Sequence, residues 1–189
     1  VFLTKFDASG NWQWTIQDGA GQADEGRAVC TDRSGNIYIT GYVRGDFHGI
    51  TRVGSADVFI SKYDPAGNRL WSALFGSADV DESFGIACDA SGNVFVTGWT
   101  GGSIEGNPYL GNGDNYLVKY DTNGQRLWLR QWGTYNKDTG YSLATDASGN
   151  VYVSGYTAGP LYGPAPAGNR DVFLAKYDAS GTLVLTRTR

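Results

Sequence analysis

The sequence predicts an all-β protein built from repeated four-stranded antiparallel meanders. Residues of the same type recur at a fixed step of 57 positions along the whole chain. Between them, short runs rich in β-branched and aromatic residues alternate with Asp…Gly turns, and helical periodicity is absent. Glycine makes up 28 of the 189 residues, about twice its usual share, as a protein with many tight turns requires.

The repeat keeps its register through the chain without an insertion or deletion. A lysine, an aspartate and a glycine recur in four copies of one segment, and a tryptophan recurs in three, with Leu185 in the fourth place. These positions are Lys5, Lys62, Lys119 and Lys176; Asp7, Asp64, Asp121 and Asp178; Gly10, Gly67, Gly124 and Gly181; and Trp14, Trp71 and Trp128. Four-stranded units at a period of this length are typical of β-propeller blades.

Each unit is predicted to contain four strands, here called a to d from the propeller axis to its rim. In the second full copy they cover residues 84–89, 93–98, 114–121 and 125–131. The turns after a and c read Asp-x-x-Gly, in which the Asp side chain bonds the backbone ahead and Gly supplies a positive φ. We therefore expect positive φ at Gly10, Gly35, Gly67, Gly92, Gly124, Gly149 and Gly181.

The phasing predicts about three and a half blades. Residues 1–19 form a half blade with strands c and d only, and complete blades follow at 26–76, 83–133 and 140–189. Propellers close with about four to eight blades. We therefore expect the terminal blade faces to contact copies of the chain, in a ring or a fibre, or flanking repeats of a longer parent.

Two motifs resemble a known family. The c–d segment DVFISKYDPAGNRLW and the a–b hairpins DASGNVFVTGW and DASGNVYVSGY resemble the SBBP repeat, a β-propeller repeat of bacterial secreted and surface proteins. The resemblance covers essentially the whole chain. It implies a propeller fold and an extracellular or bacterial cell-surface location, and it implies no enzymatic activity.

Charge and hydrophobicity argue against two kinds of interaction, with nucleic acid and with the interior of a membrane. The formal net charge is −4 and no basic run is present, so nucleic acid is not an expected partner. No apolar stretch approaches the ~18–20 residues of a transmembrane helix, so membrane insertion is not expected. The chain starts at Val1 and contains no Met, which suggests a processed product or an excerpt, and a removed secretory signal would leave no trace.

An acidic residue recurs on the loops between strands d and a. Asp24, Asp81 and Asp138 are predicted near the propeller axis, with Glu25 and Glu82 beside two of them. One interpretation is an acidic ring that binds a cation, for which oxygen ligands favour calcium. The alternative, which we favour, is that each Asp accepts backbone N–H bonds in its own loop or ties one blade to the next. No metal or other cofactor is otherwise expected.

Aromatic residues open the long loops between strands b and c. Tyr42, Trp99 and Tyr156 recur at the 57-residue step, and Tyr109 and Tyr162 lie further along two of the loops. Their rings could stack on sugars, since an aromatic side chain offers an apolar face and a polar edge. Packing between neighbouring blades is the favoured alternative.

The recurring lysines and the two cysteines are interpreted structurally. Each strand-c lysine is expected to pack its stem between blades and to pair its ammonium group with a repeated Asp. Cys30 and Cys88 are 58 positions apart, one more than the repeat, so their side chains should face opposite ways. Two buried small side chains are therefore favoured over a disulfide.

These observations favour a non-catalytic scaffold or adhesion protein. The first alternative is a carbohydrate-binding module that uses the aromatic loop face. The second is a glycosidase-like enzyme with paired carboxylates, which is disfavoured because catalytic sites in propellers normally break the repeat symmetry and these carboxylates follow it. His48, the only histidine, has no equivalent in the other blades, which argues against a histidine-dependent triad.

Overall fold

A computed structural model of the protein describes residues 1–161 and 168–189. Over these residues the chain folds into strands and turns without a helix. A two-stranded hairpin is followed by three four-stranded antiparallel sheets. The all-β prediction with repeated four-stranded meanders is therefore confirmed. No helix in the described part is long and apolar enough to span a membrane.

The strands follow one another in simple meanders. The hairpin comprises β1 (Phe2–Phe6) and β2 (Trp12–Gln17). Blade 1 comprises β3 (Glu25–Thr31), β4 (Ile37–Val43), β5 (Asp57–Tyr63) and β6 (Arg69–Phe75). Blade 2 comprises β7 (Asp81–Cys88), β8 (Val94–Thr100), β9 (Asp114–Tyr120) and β10 (Arg126–Trp132). Blade 3 comprises β11 (Asp138–Thr145), β12 (Val151–Thr157), β13 (Asp171–Tyr177) and β14 (Leu183–Thr188).

The blades stack face to face, with strand a innermost. Strands β3, β7 and β11 contact one another in sequence, although no ladder of hydrogen bonds joins the named strands of one blade to those of the next. Cross-strand partners share a face of the sheet. Each blade therefore has a forward face towards the next blade and a backward face towards the previous one.

The core lies between blades rather than inside one. Between blades 1 and 2, Val58 and Ile60 of the forward face pack with Val94 and Tyr116 of the backward face, and all four are fully buried. A second cluster joins blades 2 and 3, and a third joins the hairpin to blade 1. Because alternate residues of a strand point to opposite faces, every strand needs a neighbour on each side.

The two ends of the stack leave apolar faces open. Phe2 and Phe6 on the backward face of the hairpin are 73% and 58% exposed. Val172 and Leu174 on the forward face of blade 3 are 65% and 39% exposed, whereas the equivalent Val58 and Ile60 in blade 1 are fully buried. A closed propeller requires about four blades or more. Three blades and a hairpin are fewer than that.

Candidate functional sites at the blade junctions and the loop face

The tight turns are built by an aspartate and a glycine. Asp89 accepts bonds from the backbone N–H groups of Ser91 and Asn93, both at 2.9 Å, and from the Asn93 side chain at 2.7 Å. Glycine closes each turn with a φ of 81° at Gly10, 78° at Gly35, 91° at Gly67, 80° at Gly92, 84° at Gly124, 78° at Gly149 and 81° at Gly181. The predicted positive φ is thus confirmed at all seven positions.

A lysine and a tryptophan clamp each blade to the next. Lys62 and Trp71 are cross-strand partners on the forward face of blade 1. The Lys62 ammonium and the Trp71 indole N–H both donate to the carbonyl of Thr122, in the c–d turn of blade 2, at 2.9 and 3.1 Å. This Lys–Trp clamp fixes the outer ends of two adjacent blades with two donors on one acceptor.

The Lys–Trp clamp recurs at the 57-residue step. Lys5 and Trp14 donate to the carbonyl of Pro65 at 2.7 and 3.3 Å. Lys119 and Trp128 donate to the carbonyl of Ala179 at 3.1 and 3.3 Å. Lys62 and Lys119 are buried between blades, as expected from the sequence, whereas Lys5 on the hairpin is only partly buried.

The lysine charge also lies near a repeated aspartate. The ammonium nitrogens are 4.0, 3.9 and 3.8 Å from a carboxylate oxygen in the pairs Lys62–Asp32, Lys119–Asp89 and Lys176–Asp146. Burial lowers the pKa of Lys62, and the charge of Asp32 opposes that shift. The predicted pairing with a repeated Asp is confirmed for Lys62, Lys119 and Lys176. The bond to the next turn is a contact that the sequence did not indicate.

The carboxylates of the predicted acidic ring are held inside their own loops. Asp81 is fully buried and accepts from the backbone N–H of Ser77 at 2.6 Å and from its hydroxyl at 3.1 Å. Asp138 accepts from the N–H and hydroxyl of Thr134 at 2.6 and 2.9 Å. Asp24 accepts from the N–H groups of Ala20 and Arg44 at 2.5 and 3.0 Å. The bonds from Ala20, Ser77 and Thr134 tie each d–a loop to the start of strand a, and the bond from Arg44 ties Asp24 to the b–c loop of blade 1.

No group of three or more His, Cys, Asp or Glu side chains in residues 1–161 and 168–189 is arranged to hold a metal ion. Instead, Asp81 lies beside Asp57, a buried carboxylate at the start of strand c. A β-carbon at Gly76 would be 2.5 Å from an oxygen of Asp81 and 2.8 Å from one of Asp57, so the two carboxylates are close. Burial, helped by the charge of Asp57, raises the pKa of Asp81 to about 6.

Replacing Asp81 with Asn is expected to change how stability depends on pH. The folded-state pKa of about 6 exceeds the ordinary value of 3.8, so the folded state binds the proton more tightly than the unfolded state. This stabilising contribution is complete below about pH 4 and is lost as the pH rises through about 6. Relative to Asp81→Asn, the wild type should be more stable at pH 4 than at pH 7, by on the order of 2 kcal/mol.

Urea unfolding of both proteins at pH 4 and pH 7 measures this difference. Asp64→Asn is the matched control, because the hydrogen bond from the Asn68 side chain lowers the pKa of that turn carboxylate. Its contribution has the opposite sign, being present at pH 7 and lost as the pH falls below about 4. An Asp81→Asn effect that is the same at both pH values would contradict the prediction.

The three repeated aromatic rings at the start of the long loops are covered by cations. Tyr42 is buried, lies 5.5 and 5.4 Å from the guanidinium groups of Arg27 and Arg44, and donates to Glu25 at 2.8 Å. The Lys137 ammonium lies 3.8 Å from the ring centre of Trp99. The Arg170 guanidinium lies 4.2 Å from the ring centre of Tyr156, whose other neighbour is Tyr141.

The two remaining aromatic candidates are Tyr109 and Tyr162. Tyr109 is partly buried, and burial together with the charge of Asp114 raises its pKa. Tyr162 lies outside the described residues. A sugar needs an open ring face for stacking, and within the described part of the chain the rings of Tyr42, Trp99 and Tyr156 each have one face against a cation.

Trp99→Ala is expected to destabilise the protein by about 2–3 kcal/mol, somewhat less than a fully buried tryptophan would cost. The indole packs between the Lys137 ammonium and the backbone beside Gly113, so its loss leaves a gap under the loop of the next blade. Trp12→Ala is the control, since Trp12 is 62% exposed and its loss should change stability by at most ~0.5 kcal/mol. Equal effects in guanidinium unfolding would contradict the packing role of Trp99.

The two cysteines form a disulfide, and the favoured prediction of two separate buried thiols is therefore wrong. Cys30 lies in β3 and Cys88 in β7, the innermost strands of adjacent blades, with Cα atoms 6.2 Å apart. Cys30 lies opposite Tyr38, so it belongs to the forward face of blade 1. Cys88 lies opposite Val94, on the backward face of blade 2. The opposite orientations that argued against pairing bring the two sulfurs together across the junction.

Sequence reasoning missed two groups of polar contacts. Asp57 caps the b–c loop of blade 1 by accepting from the N–H groups of Val53 and Gly54 at 2.6 and 2.9 Å. Its recurrence as Asp114 and Asp171 at the 57-residue step was the signal that could have revealed this role. Asp18 accepts from the Tyr63 hydroxyl at 2.8 Å and lies 2.8 Å from His48 Nε2, so it joins the hairpin to blade 1. Nothing in the repeat marks that second contact.

This architecture of stacked four-stranded meanders defines a β-propeller repeat protein. The profile of the SBBP family, a β-propeller repeat, matches residues 13–48, 70–105 and 127–162. These matches cover more than half of the chain and follow its 57-residue step. The chain belongs to the SBBP β-propeller repeat family.

Two curated relatives share 27% identity with the chain. One is an uncharacterized WD repeat-containing protein, L264, of Acanthamoeba polyphaga mimivirus, matched over 77% of the chain and 13% of the relative. The other is the regulatory protein FlaEY of Caulobacter vibrioides, matched over 82% of the chain and 18% of the relative. The chain thus spans less than a fifth of the length of either relative.

A solved structure from Bacteroides caccae, of a protein of unknown function, matches 96% of the chain and 73% of its own length. The identity is 14% and the TM-score 0.46.

Proposed function

We propose that the chain is a non-catalytic scaffold or adhesion segment of a secreted or cell-surface protein, and that its working surfaces are its blade faces. The observation that carries this proposal is the blade junction, which is built with the same Lys–Trp clamp at each internal boundary and is left half-built at both ends. Lys176 stands on the open forward face of blade 3, beside Asp146 and Tyr152. The c–d turn around Gly10 is open on the hairpin, with nothing within 4 Å of a β-carbon there.

The disulfide supports the extracellular part of the proposal. Disulfides persist in oxidising compartments such as the periplasm and the cell exterior, and are rare in the cytosol. The repeated carboxylates accept hydrogen bonds from N–H groups of their own loops. This structural role supports the non-catalytic part of the proposal. The cation-covered rings of the loop face favour a structural role over a sugar-binding one.

Self-association of the purified chain tests the proposal. The partners proposed for the open faces are copies of the chain or flanking repeats of the same kind. Such faces carry several apolar side chains, each contributing ~1.5–3 kcal/mol when buried. Light scattering should give a mass above the 20.3 kDa of one chain, rising with concentration.

The double variant Val172→Glu/Leu174→Glu should return the mass to that of a monomer, because it charges the open face. Leu70→Glu is the control, as Leu70 is exposed on strand d of blade 1, away from both ends. A wild-type monomer at high concentration would contradict self-association. Turnover of glycans by the purified chain would contradict the non-catalytic assignment.

A further inference from the structure

Strand β6, at the rim of blade 1, has an open outer edge. Strand d is the outermost strand of each blade, and in the part of the chain that the structure describes β6 pairs with β5 alone. Its second edge carries backbone N–H and C=O groups that can template a further strand. Proteins commonly block such edges with charged side chains, so the presence or absence of a block at each blade is informative.

The other two complete blades block this edge with an arginine. Arg130 Nη1 donates to the carbonyl of Leu129, the residue before it, at 2.9 Å, and Arg187 Nη1 donates to the carbonyl of Thr186 at 2.8 Å. The inner edge of strand d is paired with strand c. A guanidinium that reaches a carbonyl of its own strand therefore covers the outer edge. Blade 1 has Ala73 at this position, so the edge of β6 lacks the block.

A cavity of about 730 Å³ lies along the open edge. Its floor is formed by residues 73–78, six consecutive residues at the end of β6 and in the turn after it. One wall comes from the b–c loop of blade 1 and includes Val53, which is 66% exposed. The other wall comes from blade 2 and includes Tyr120 and Arg126, whose guanidinium is paired with Glu105. The floor has the length of about 20 Å of extended chain.

The same arginine closes the corresponding cleft between blades 2 and 3. Arg130 Nε donates to the carbonyl of Gly181, in the c–d turn of blade 3, at 2.8 Å, so its side chain spans the two blades. The equivalent residues at the junction of blades 1 and 2 are Ala73 and Gly124, and both line the cavity. The cleft is thus open at the junction where the strand edge is also unblocked. Both features break the 57-residue repeat at the same place.

The groove has the chemistry of a site for an extended peptide. An added β-strand satisfies the backbone groups of an open edge, and its successive side chains point to opposite walls. Those that point to the wall of blade 1 meet Ile50, Val53 and Leu74, so apolar side chains fit there. Those that point to the wall of blade 2 meet the Arg126–Glu105 pair. Side chains with both a donor and an acceptor, such as Thr or Gln, fit that wall.

We propose that the groove along β6 is a docking site for an extended segment of a partner protein, which adds a fifth strand to blade 1. In this segment apolar side chains alternate with Thr, Gln or similar polar ones over the length of the floor. The inference goes beyond the proposed function. There the blade faces bind repeats of the same kind, whereas here the rim of one blade binds a single strand of a different protein.

Peptide selection on the purified chain tests the site. A displayed library of random peptides, each about ten residues long, is selected on the wild type, and the enriched peptides are then synthesised. We expect them to alternate apolar and polar residues and to slow amide hydrogen exchange in β6. Ala73→Arg restores the arginine of blades 2 and 3 and should weaken their binding about tenfold or more.

Leu70→Arg is the matched control, since it adds the same charge to β6 at an exposed position outside the cavity and should leave binding unchanged. Binding should also persist in Val172→Glu/Leu174→Glu, so failure of blade-face assembly and failure of this site are distinguishable. Equal binding to the wild type and Ala73→Arg, or protection only outside β6, would overturn the docking site. A mass of the wild type that falls on Ala73→Arg, without peptide binding, would make a second copy the occupant and overturn the assignment of a different partner.

Discussion

Loss of the Cys30–Cys88 disulfide is expected to lower the free energy of unfolding by about 3–4 kcal/mol. The bond closes a loop with a sequence separation of 58 residues, and a cross-link of that span restricts the unfolded chain strongly. It also joins the innermost strands of two blades whose named strands share no ladder of hydrogen bonds. Urea unfolding of Cys30→Ser/Cys88→Ser against the oxidised wild type measures the loss.

The junction between blades 2 and 3 allows the converse experiment, in which a disulfide is added. Ala87 and Thr145 occupy the places of Cys30 and Cys88 between blades 2 and 3, and the Thr145 hydroxyl already donates to the Cys88 carbonyl at 2.9 Å. Ala87→Cys/Thr145→Cys should form a second disulfide and raise stability under oxidising conditions only. Unchanged stability of the double Ser variant, together with two free thiols titrated in the wild type, would contradict the cross-link.

Gly124→Ala is expected to destabilise the protein by about 3–4 kcal/mol, the second large effect. A left-handed conformation costs a non-glycine residue ~1–2 kcal/mol, and Gly124 has a φ of +84°. In addition, a β-carbon at Gly124 would lie 2.8 Å from the Trp71 indole, which must then move off the Thr122 carbonyl. The Lys–Trp clamp between blades 1 and 2 loses one of its two donors.

Gly10→Ala separates the conformational cost of a positive φ from the cost of the collision with Trp71. Gly10 has nearly the same φ, +81°, but nothing lies within 4 Å of its β-carbon, so only the conformational cost of ~1–2 kcal/mol is expected. In a Trp71→Ala background the cost of Gly124→Ala should fall to the same value, because the colliding ring is gone. Equal destabilisation by Gly124→Ala and Gly10→Ala in the wild-type background would show that the clamp does not depend on this close approach.

Much of the fold could be predicted because contacts between residues close together in the sequence determine it. The Asp…Gly turns set the hairpins, since Asp89 bonds the backbone within four residues of itself and Gly92 takes a conformation that other residues resist. The 57-residue step of four-stranded units indicated propeller blades. Lys62 was expected between blades because it lies in strand c on the same side as Ile60.

The candidate site was less predictable because its contacts cross a junction. Sequence placed Trp99 at the start of a long loop, but the Lys137 ammonium that covers its ring comes from the next blade. It placed Asp81 near the axis, but the depth of its burial beside Asp57 depends on how blade 2 meets blade 1. A one-dimensional pattern does not report distances between two sheets.

The sequence by itself determined the repeat step, the four-stranded unit, the turn geometry and the number of blades, because hydrogen bonds to near neighbours and the two-residue period of a strand decide them. Only the tertiary structure decided that Cys30 and Cys88 bond to each other and that Lys62 reaches the Thr122 carbonyl 60 residues away. Those features depend on which sheet faces meet and how closely they pack. The repeat pattern is the same whether a neighbouring blade is present or absent.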